Sequence, residues 1–289
     1  MTNLSFAPAK INLYLHVLGR RADGYHDIDS LFVFCDLGDW VDVRPADDLA
    51  LEVDGPFAQD IVGENIVLQA AAGLREVCKI RQGAAIRLNK LLPVAAGLGG
   101  GSSDAAASIR GLCKLWNLDP SAHEIVALAS RLGSDVPACL VAQPVIVGGT
   151  GSRVIARPAL PDLALVMINP GVTVATSEVY NSSSIVGQNA PRFIEPPGEL
   201  PTLVTWLAAR SNQLTEAARA IAPEIDEVLT FLESRSGCLL ARLSGSGATC
   251  FGVFGDRAAA STAMSEATYE HPEWWAQAAT TSPENSRPA

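Results

Sequence analysis

The sequence predicts a mixed α+β protein in two lobes, and three observations lead there. The chain has 289 residues, 48% of them hydrophobic and 18% charged, which is ample apolar material for a core in each of two domains. Segments with strand and helix periodicity interleave without a strict βαβ rhythm. A glycine-rich stretch, Gly148-Gly149-Thr150-Gly151-Ser152, divides residues 1–149 from 150–289, although the same residues would also serve as a hairpin turn.

The elements follow in order. Across residues 7–17, Ala9, Ile11, Leu13, Leu15 and Val17 alternate with Lys10, Asn12, Tyr14 and His16, a strand with one polar face. Trp40–Arg44 and Leu49–Val53 read as two strands joined by a hairpin at Pro45-Ala46-Asp47-Asp48. Ile66, Val67, Ala70, Leu74 and Val77 have helical spacing, with Asn65 placed as the cap. Ala85–Lys90 is a short strand. A glycine-rich loop follows, then a helix with Ile109, Leu112, Cys113 and Trp116 on one face. Leu163–Asn169 is an apolar strand, and residues 181–201 are a loop, either a lid or an inert surface segment. Pro223 opens a helix burying Ile225, Val228, Leu229 and Leu232. Leu239–Leu243 and Thr249–Phe254 flank a second glycine-rich turn, and Thr280–Ala289 is a polar, frayed end.

Charge and composition exclude several roles. With 21 Lys+Arg against 31 Asp+Glu the net charge is −10, which repels phosphate backbones and anionic lipid, so neither nucleic acid nor membrane is an expected partner. The N-terminus has no basic, apolar leader pattern, and a cytoplasmic location is expected. Cys35, Cys78, Cys113, Cys139, Cys238 and Cys250 are scattered with no C-x-x-C pair; they read as reduced, packed thiols, and with the four scattered histidines they make no zinc spacing. No heptads or apolar edge argue for a stable assembly, so a monomer or weak homodimer is expected.

The most informative segment is Pro93-Val94-Ala95-Ala96-Gly97-Leu98-Gly99-Gly100-Gly101-Ser102-Ser103-Asp104-Ala105-Ala106. Four glycines in five positions imply close approach or positive φ. Ser102, Ser103 and Asp104 are helix-capping types, and a loop that empties into a helix N-terminus offers N–H donors and a positive dipole end to a phosphate. No lysine precedes the serine, so this is not a Walker A loop. No acidic residue is suitably placed after a second strand, so it is not the dinucleotide fingerprint.

This string resembles the nucleotide-binding motif of the galactokinase, homoserine, mevalonate and phosphomevalonate (GHMP) kinases. Pro8-Ala9-Lys10-Ile11-Asn12-Leu13 and Arg242-Leu243-Ser244-Gly245-Ser246-Gly247-Ala248-Thr249 are similar to that family's other two motifs, in the same order. Arg20-Arg21-Ala22-Asp23-Gly24-Tyr25-His26 and Gly133-Ser134-Asp135-Val136-Pro137 resemble the branch acting on a cytidine diphosphate ester of methylerythritol, at its 2-hydroxyl, in the non-mevalonate route to isoprenoids. The resemblance implies a ribosomal-protein-S5-like N-terminal lobe and a C-terminal lobe with an antiparallel sheet backed by helices. It also implies that the three motifs converge, with ATP as co-substrate and Mg2+ carried on the nucleotide rather than in a dedicated protein site.

By that resemblance Asp135 accepts the proton of the attacking hydroxyl and Lys10 sits beside it at the transferring phosphate; without it, Asp135 would read as a helix cap and Lys10 as a solvated lysine. Asn12, Tyr25, His26, Thr176, Tyr180 and Gly245 are implied on the substrate side, with aromatic rings stacking on cytosine and the imidazole reading its edge. Pro93, Gly97, Leu98, Gly99, Gly100, Gly101, Ser102, Ser103 and Asp104 line the nucleotide loop. Asn65 and Lys90 fall where relatives contact adenine or its sugar, their ordinary alternatives being a helix cap and an exposed strand end. A kinase of the same superfamily acting on mevalonate or homoserine, or a nucleotide sensor without catalysis, would share the loop but have no need of Tyr25, His26 and Tyr180.

Overall fold

The computed structural model describes residues 3–183 and 194–281. Much of the loop expected over 181–201, and the tail beyond Thr281, lie outside the described residues. The chain forms two compact units that alternate along the sequence: Met1–Lys10, Gly38–Val94 and Gly99–Ala142 make the first, and Ile11–Leu37, Ala95–Leu98 and Gln143–Ala289 the second. Strands β1 (Asn3–Arg20) and β2 (His26–Ala46) each contribute residues to both.

β1 departs from expectation in an instructive way. Its alternation is present, but the polar face is buried as deeply as the apolar one: Lys10, Asn12, Tyr14 and His16 are 4%, 1%, 2% and 3% exposed. Polar groups removed from water must find partners inside the protein. Lys10 pairs with Asp135, the Asn12 amide donates to Ser30, the Tyr14 hydroxyl donates to Asp29, and His16 Nε2 accepts from the Ser211 N–H.

The first unit adds β3 (Leu49–Asp54), α1 (Ile66–Val77), β4 (Gly83–Asn89), α2 (Gly100–Trp116), α3 (His123–Leu132) and α4 (Val136–Val141). The hairpin expected at Pro45–Asp48 does not form. β4 inserts between its two arms, antiparallel to β2 (Trp40↔Asn89 to Ala46↔Gly83) and parallel to β3 (Leu49↔Ala84 to Asp54↔Asn89). β4 buries Ala84, Ile86 and Leu88 and suits the interior place, whereas half-exposed β3 suits an edge. Gly83 permits the insertion, because a Cβ there would stand 2.4 Å from the Asp48 nitrogen. α1 begins where the sequence places it, with the Asn65 side chain accepting the Val67 N–H at 2.9 Å. α2 buries Ile109, Leu112, Cys113 and Trp116 as the spacing requires.

In the second unit β5 (Val145–Gly148) pairs with the early part of β2 (Ser30↔Val147 to Phe32↔Val145) and with β6 (Arg153–Ala156). The glycine-rich stretch at 148–152 is therefore the turn of a hairpin, with Gly149 and Gly151 at positive φ. A second, wholly antiparallel sheet has the order β10-β7-β9-β8, from β7 (Ala164–Asn169), β8 (Cys238–Leu243), β9 (Cys250–Phe254) and β10 (Trp275–Thr280). Helices α5 (Thr176–Ser182), α6 (Leu200–Ala208), α7 (Thr215–Ile221), α8 (Glu224–Ser234) and α9 (Arg257–Glu270) complete the unit. α8 packs on β8 and β9, and α9 on β7, β9 and β10, so helices back this sheet as expected. All six cysteines are free thiols, four of them buried. No helix among the described residues is long and apolar enough to cross a membrane.

Burial, and then Arg210 and Arg242, lower the His16 pKa to about 4. An unfolded histidine takes its proton near ~6.5, so the unfolded chain binds more protons between those values and stability falls as pH drops from 6.5 toward 4. Urea unfolding of the wild type should lose about 1–2 kcal/mol across that window after allowance for solvent screening. His16→Gln should flatten this part of the profile; an unchanged slope in the variant would contradict the assignment.

Candidate active site

The first unit gathers one cluster around the beginning of α2. Lys10 Nζ lies 3.2 Å from Asp135 Oδ2, so β1 and the residue heading α4 join in an ion pair. Asp135 stands at the N-cap position of α4, yet its carboxylate makes no capping bond and turns to Lys10. Gly99, at φ 63°, is the residue before α2. A Cβ there would come within 2.9 Å of Lys10 Cε, so glycine lets the loop lie directly against the lysine stem. A Cβ added at Gly101 would meet only Ile66 Cγ2, at an ordinary 3.8 Å.

The serines and aspartate do not cap the helix, because α2 begins at Gly100 and Ser102, Ser103 and Asp104 already lie within it. Ser102 Oγ has no hydrogen-bond partner among the described residues, while Ser103 Oγ donates to the Pro8 carbonyl at 2.8 Å. Helix geometry leaves the N–H groups of Gly100, Gly101 and Ser102 without carbonyls one turn back, a donor set suited to an anion.

Lys90 is not an exposed strand end. It is buried, and its ammonium donates to Asp39 at 2.6 Å and to Asp104 at 2.7 Å. Asp39, which the sequence reading passed over, also accepts the N–H groups of Leu91 and Leu92 at 2.6 and 2.8 Å. Burial lowers the Lys90 pKa, but Asp104 and Asp39 more than offset it and the net direction is upward. Burial also pushes the Asp104 carboxyl well above the usual carboxylate range; Lys90 opposes that shift and Asp39, within hydrogen-bond reach, adds to it. This triad lies under the loop, since a Cβ on Gly100 would be 2.9 Å from Lys90 Nζ. Asn65 uses its side-chain oxygen as the α1 cap.

The second unit holds another cluster. The Asn12 amide donates to Ser30 Oγ at 2.9 Å, its backbone N–H donates to Ser244 Oγ at 3.3 Å, and Ser244 Oγ donates to the Gly97 carbonyl at 2.9 Å. Gly245, at φ 57°, packs where a Cβ would meet Gly97 O and Asn12 Oδ1. Asn212, also missed in the sequence, holds this turn by donating to the Leu243 and Gly245 carbonyls at 2.9 and 2.7 Å. Thr176 and Ser246 hydroxyls lie 2.8 Å apart. The His26 ring stacks on Tyr180 with centroids 5.0 Å apart, and burial, then Arg20, lowers the His26 pKa, which favours a neutral imidazole. Tyr25 is 64% exposed in the turn before it.

Each of the three motifs thus reaches another across long sequence separations: Lys10, Gly99 and Asp135 in the first unit, and Asn12, Gly97 and Ser244 in the second. A helix start with open N–H donors beside a lysine–carboxylate pair is equipment suited to a phosphotransferase. The comparisons agree, for residues 65–143 match the GHMP kinases N terminal domain and residues 198–271 the GHMP kinases C terminal family. The chain is 47% identical over 277 residues to 4-diphosphocytidyl-2-C-methyl-D-erythritol kinase of Paramagnetospirillum magneticum, covering 95% of this chain and 97% of that protein. It is 45% identical over 274 residues to the Rhodospirillum rubrum protein of the same name, covering 94% and 90%. A crystal structure of 4-(cytidine 5'-diphospho)-2C-methyl-D-erythritol kinase superposes with TM-score 0.76 at 32% identity, covering 96% of this chain and 98% of that one. The L. major mevalonate kinase, at 16% identity and TM-score 0.70, shares the fold.

The chain is therefore a GHMP kinase. Within that class it belongs to the family of the 4-diphosphocytidyl-2-C-methyl-D-erythritol kinases.

Removing the cation from the buried triad leaves two carboxyls facing each other in a dry place. Lys90→Met should cost about 3–5 kcal/mol at pH 7, the usual size for stranding buried charge. The deficit should shrink at pH 5, where the Asp104 carboxyl, raised by burial, takes a proton more readily. Urea unfolding at the two pH values checks this, and a deficit independent of pH would count against a charged Lys90 as the linchpin.

Proposed function

We propose that the protein transfers the γ-phosphoryl group of ATP to the 2-hydroxyl of 4-diphosphocytidyl-2-C-methyl-D-erythritol by direct in-line displacement. The observation that carries the mechanism is the Lys10–Asp135 pair at 3.2 Å beside the start of α2. The N–H groups of Gly100, Gly101 and Ser102, with the Ser102 hydroxyl, hold the polyphosphate, and magnesium travels with the nucleotide. Lys10 holds the Asp135 side chain in place and faces the charge that develops on the transferred group.

Magnitudes set the order of events. An alcohol is a far weaker acid than a carboxylic acid, so full proton removal before transfer is too costly. In a loose transition state the hydroxyl becomes acidic only as its bond to phosphorus forms. Asp135 therefore orients the hydroxyl first and takes its proton late.

On the acceptor side, the His26–Tyr180 stack and the exposed Tyr25 ring offer flat surfaces and a neutral imidazole to cytosine. A neutral ring nitrogen accepts or donates as the tautomer requires, which suits an edge carrying an amino group and a carbonyl. Asn12, Thr176 and Gly245 serve the remainder of the substrate.

Asp135→Asn should lower turnover by at least about 10³-fold while ATP binding, measured by calorimetry, changes less than ~3-fold. Full activity in that variant would remove Asp135 from the mechanism. ATP consumption should require the cytidylyl substrate; turnover with mevalonate alone would reassign the acceptor. His26→Ala should raise KM for that substrate by about 10-fold or more and leave KM for ATP unchanged, and the reverse pattern would place the imidazole on the nucleotide side.

A further inference from the structure

α2 does more than present a loop. Ser103 and Arg110 lie seven residues apart, two helical turns, and so share a face. Ser103 Oγ donates to the Pro8 carbonyl at 2.8 Å. Arg110 Nη2 donates to the Phe6 carbonyl at 2.7 Å, and Nη1 donates to the Cys139 carbonyl at 2.7 Å. Phe6 and Pro8 are followed at the same two-residue period by Lys10 on β1. Cys139 lies one turn beyond Asp135 on α4, with its N–H donating to the Asp135 carbonyl at 3.0 Å. One planar guanidinium therefore spans the strand that carries Lys10 and the helix that Asp135 heads.

The chemistry of the contact favours arginine. Its donors leave a rigid plane in fixed directions, so two carbonyls held at once have a set separation. A lysine would meet one carbonyl through a flexible stem. Arg110 makes no ion pair with a carboxylate among the described residues, and burial lowers its pKa. A partly buried cation whose hydrogen bonds run to two backbone carbonyls is an expensive way to fill space and an effective way to hold two elements apart.

We propose that Arg110 is a positioning residue for phosphoryl transfer, setting the approach of Lys10 to Asp135 through the Phe6 and Cys139 carbonyls. It touches neither substrate. The inference rests on the reading of Lys10 and Asp135 as the catalytic pair. A displacement of about 1 Å between reacting groups costs about 10²-fold in rate, which is the scale of effect expected.

The test uses the full chain with ATP and the cytidylyl substrate. Arg110→Lys should lower kcat about 10-fold and Arg110→Met about 100-fold, with KM for ATP within ~3-fold of wild type because Ser103 still docks the loop. If the Met variant does not fold, the Lys variant decides. Arg110→Lys is also made in a Lys10→Met background and followed by single turnover. There it should lose less than ~2-fold more, since the pair it positions is already broken. Wild-type kcat in Arg110→Lys, or the same fold-loss in both backgrounds, overturns the proposal. So does a raised KM for ATP with kcat unchanged. Asp135→Asn, measured alongside, separates the failures. Full turnover there overturns the catalytic reading and this proposal together, whereas an inactive Asp135→Asn beside an unaffected Arg110→Lys overturns the positioning role alone.

Discussion

The start of α2 is the constraint on which the proposed phosphate-binding end of this protein depends. A helix start can hold an anion only if its N–H groups are aimed before the anion arrives, because donors that must reorganise contribute far less. Here Gly99 lies flat on the Lys10 stem, Ser103 is tied to the Pro8 carbonyl and Asp104 to the Lys90 ammonium. The first two ties lead to β1 and the third to the residue that follows β4. Glycine at 99 and 100 is needed because the lysine side chains occupy the space where a Cβ would project.

The Asp39–Lys90–Asp104 triad resolves an electrostatic conflict. Two ionised carboxylates and one ammonium would leave a net negative charge under the helix start proposed to hold a polyphosphate. Burial raises Asp104 toward its protonated form, with Asp39 adding to the shift and Lys90 opposing it, which brings the cluster toward neutrality. In the proposed site this acidic protein, with formal charge −10, would hold its anionic ligand with local donors rather than with its overall field.

Much of this was legible in the chain. The loop, the cap at Asn65 and the helices carrying Ile109 and Val228 stood out because local rules decide them. The parallel pairing of β3 with β4 did not, because a two-residue link after Ala46 looks like a hairpin until a third strand is known to insert. The burial of both faces of β1 was equally hidden, since Lys10 and Asn12 look solvent-facing when their partners are 18 to 232 residues away. α9 escaped for another reason: it buries only Ala260, Ala263 and Ala267, too thin a stripe to register. Asp39, Asn212 and Arg110 carry no motif of their own and declare themselves only through what they touch.

The most direct test of the account is a crystal structure with a non-hydrolysable ATP analogue and magnesium. The triphosphate should lie against the N–H groups of Gly100, Gly101 and Ser102, with Lys10 Nζ within about 3 Å of a γ-phosphate oxygen. A triphosphate bound away from the start of α2, or a terminal phosphate beyond the reach of Lys10, would contradict it.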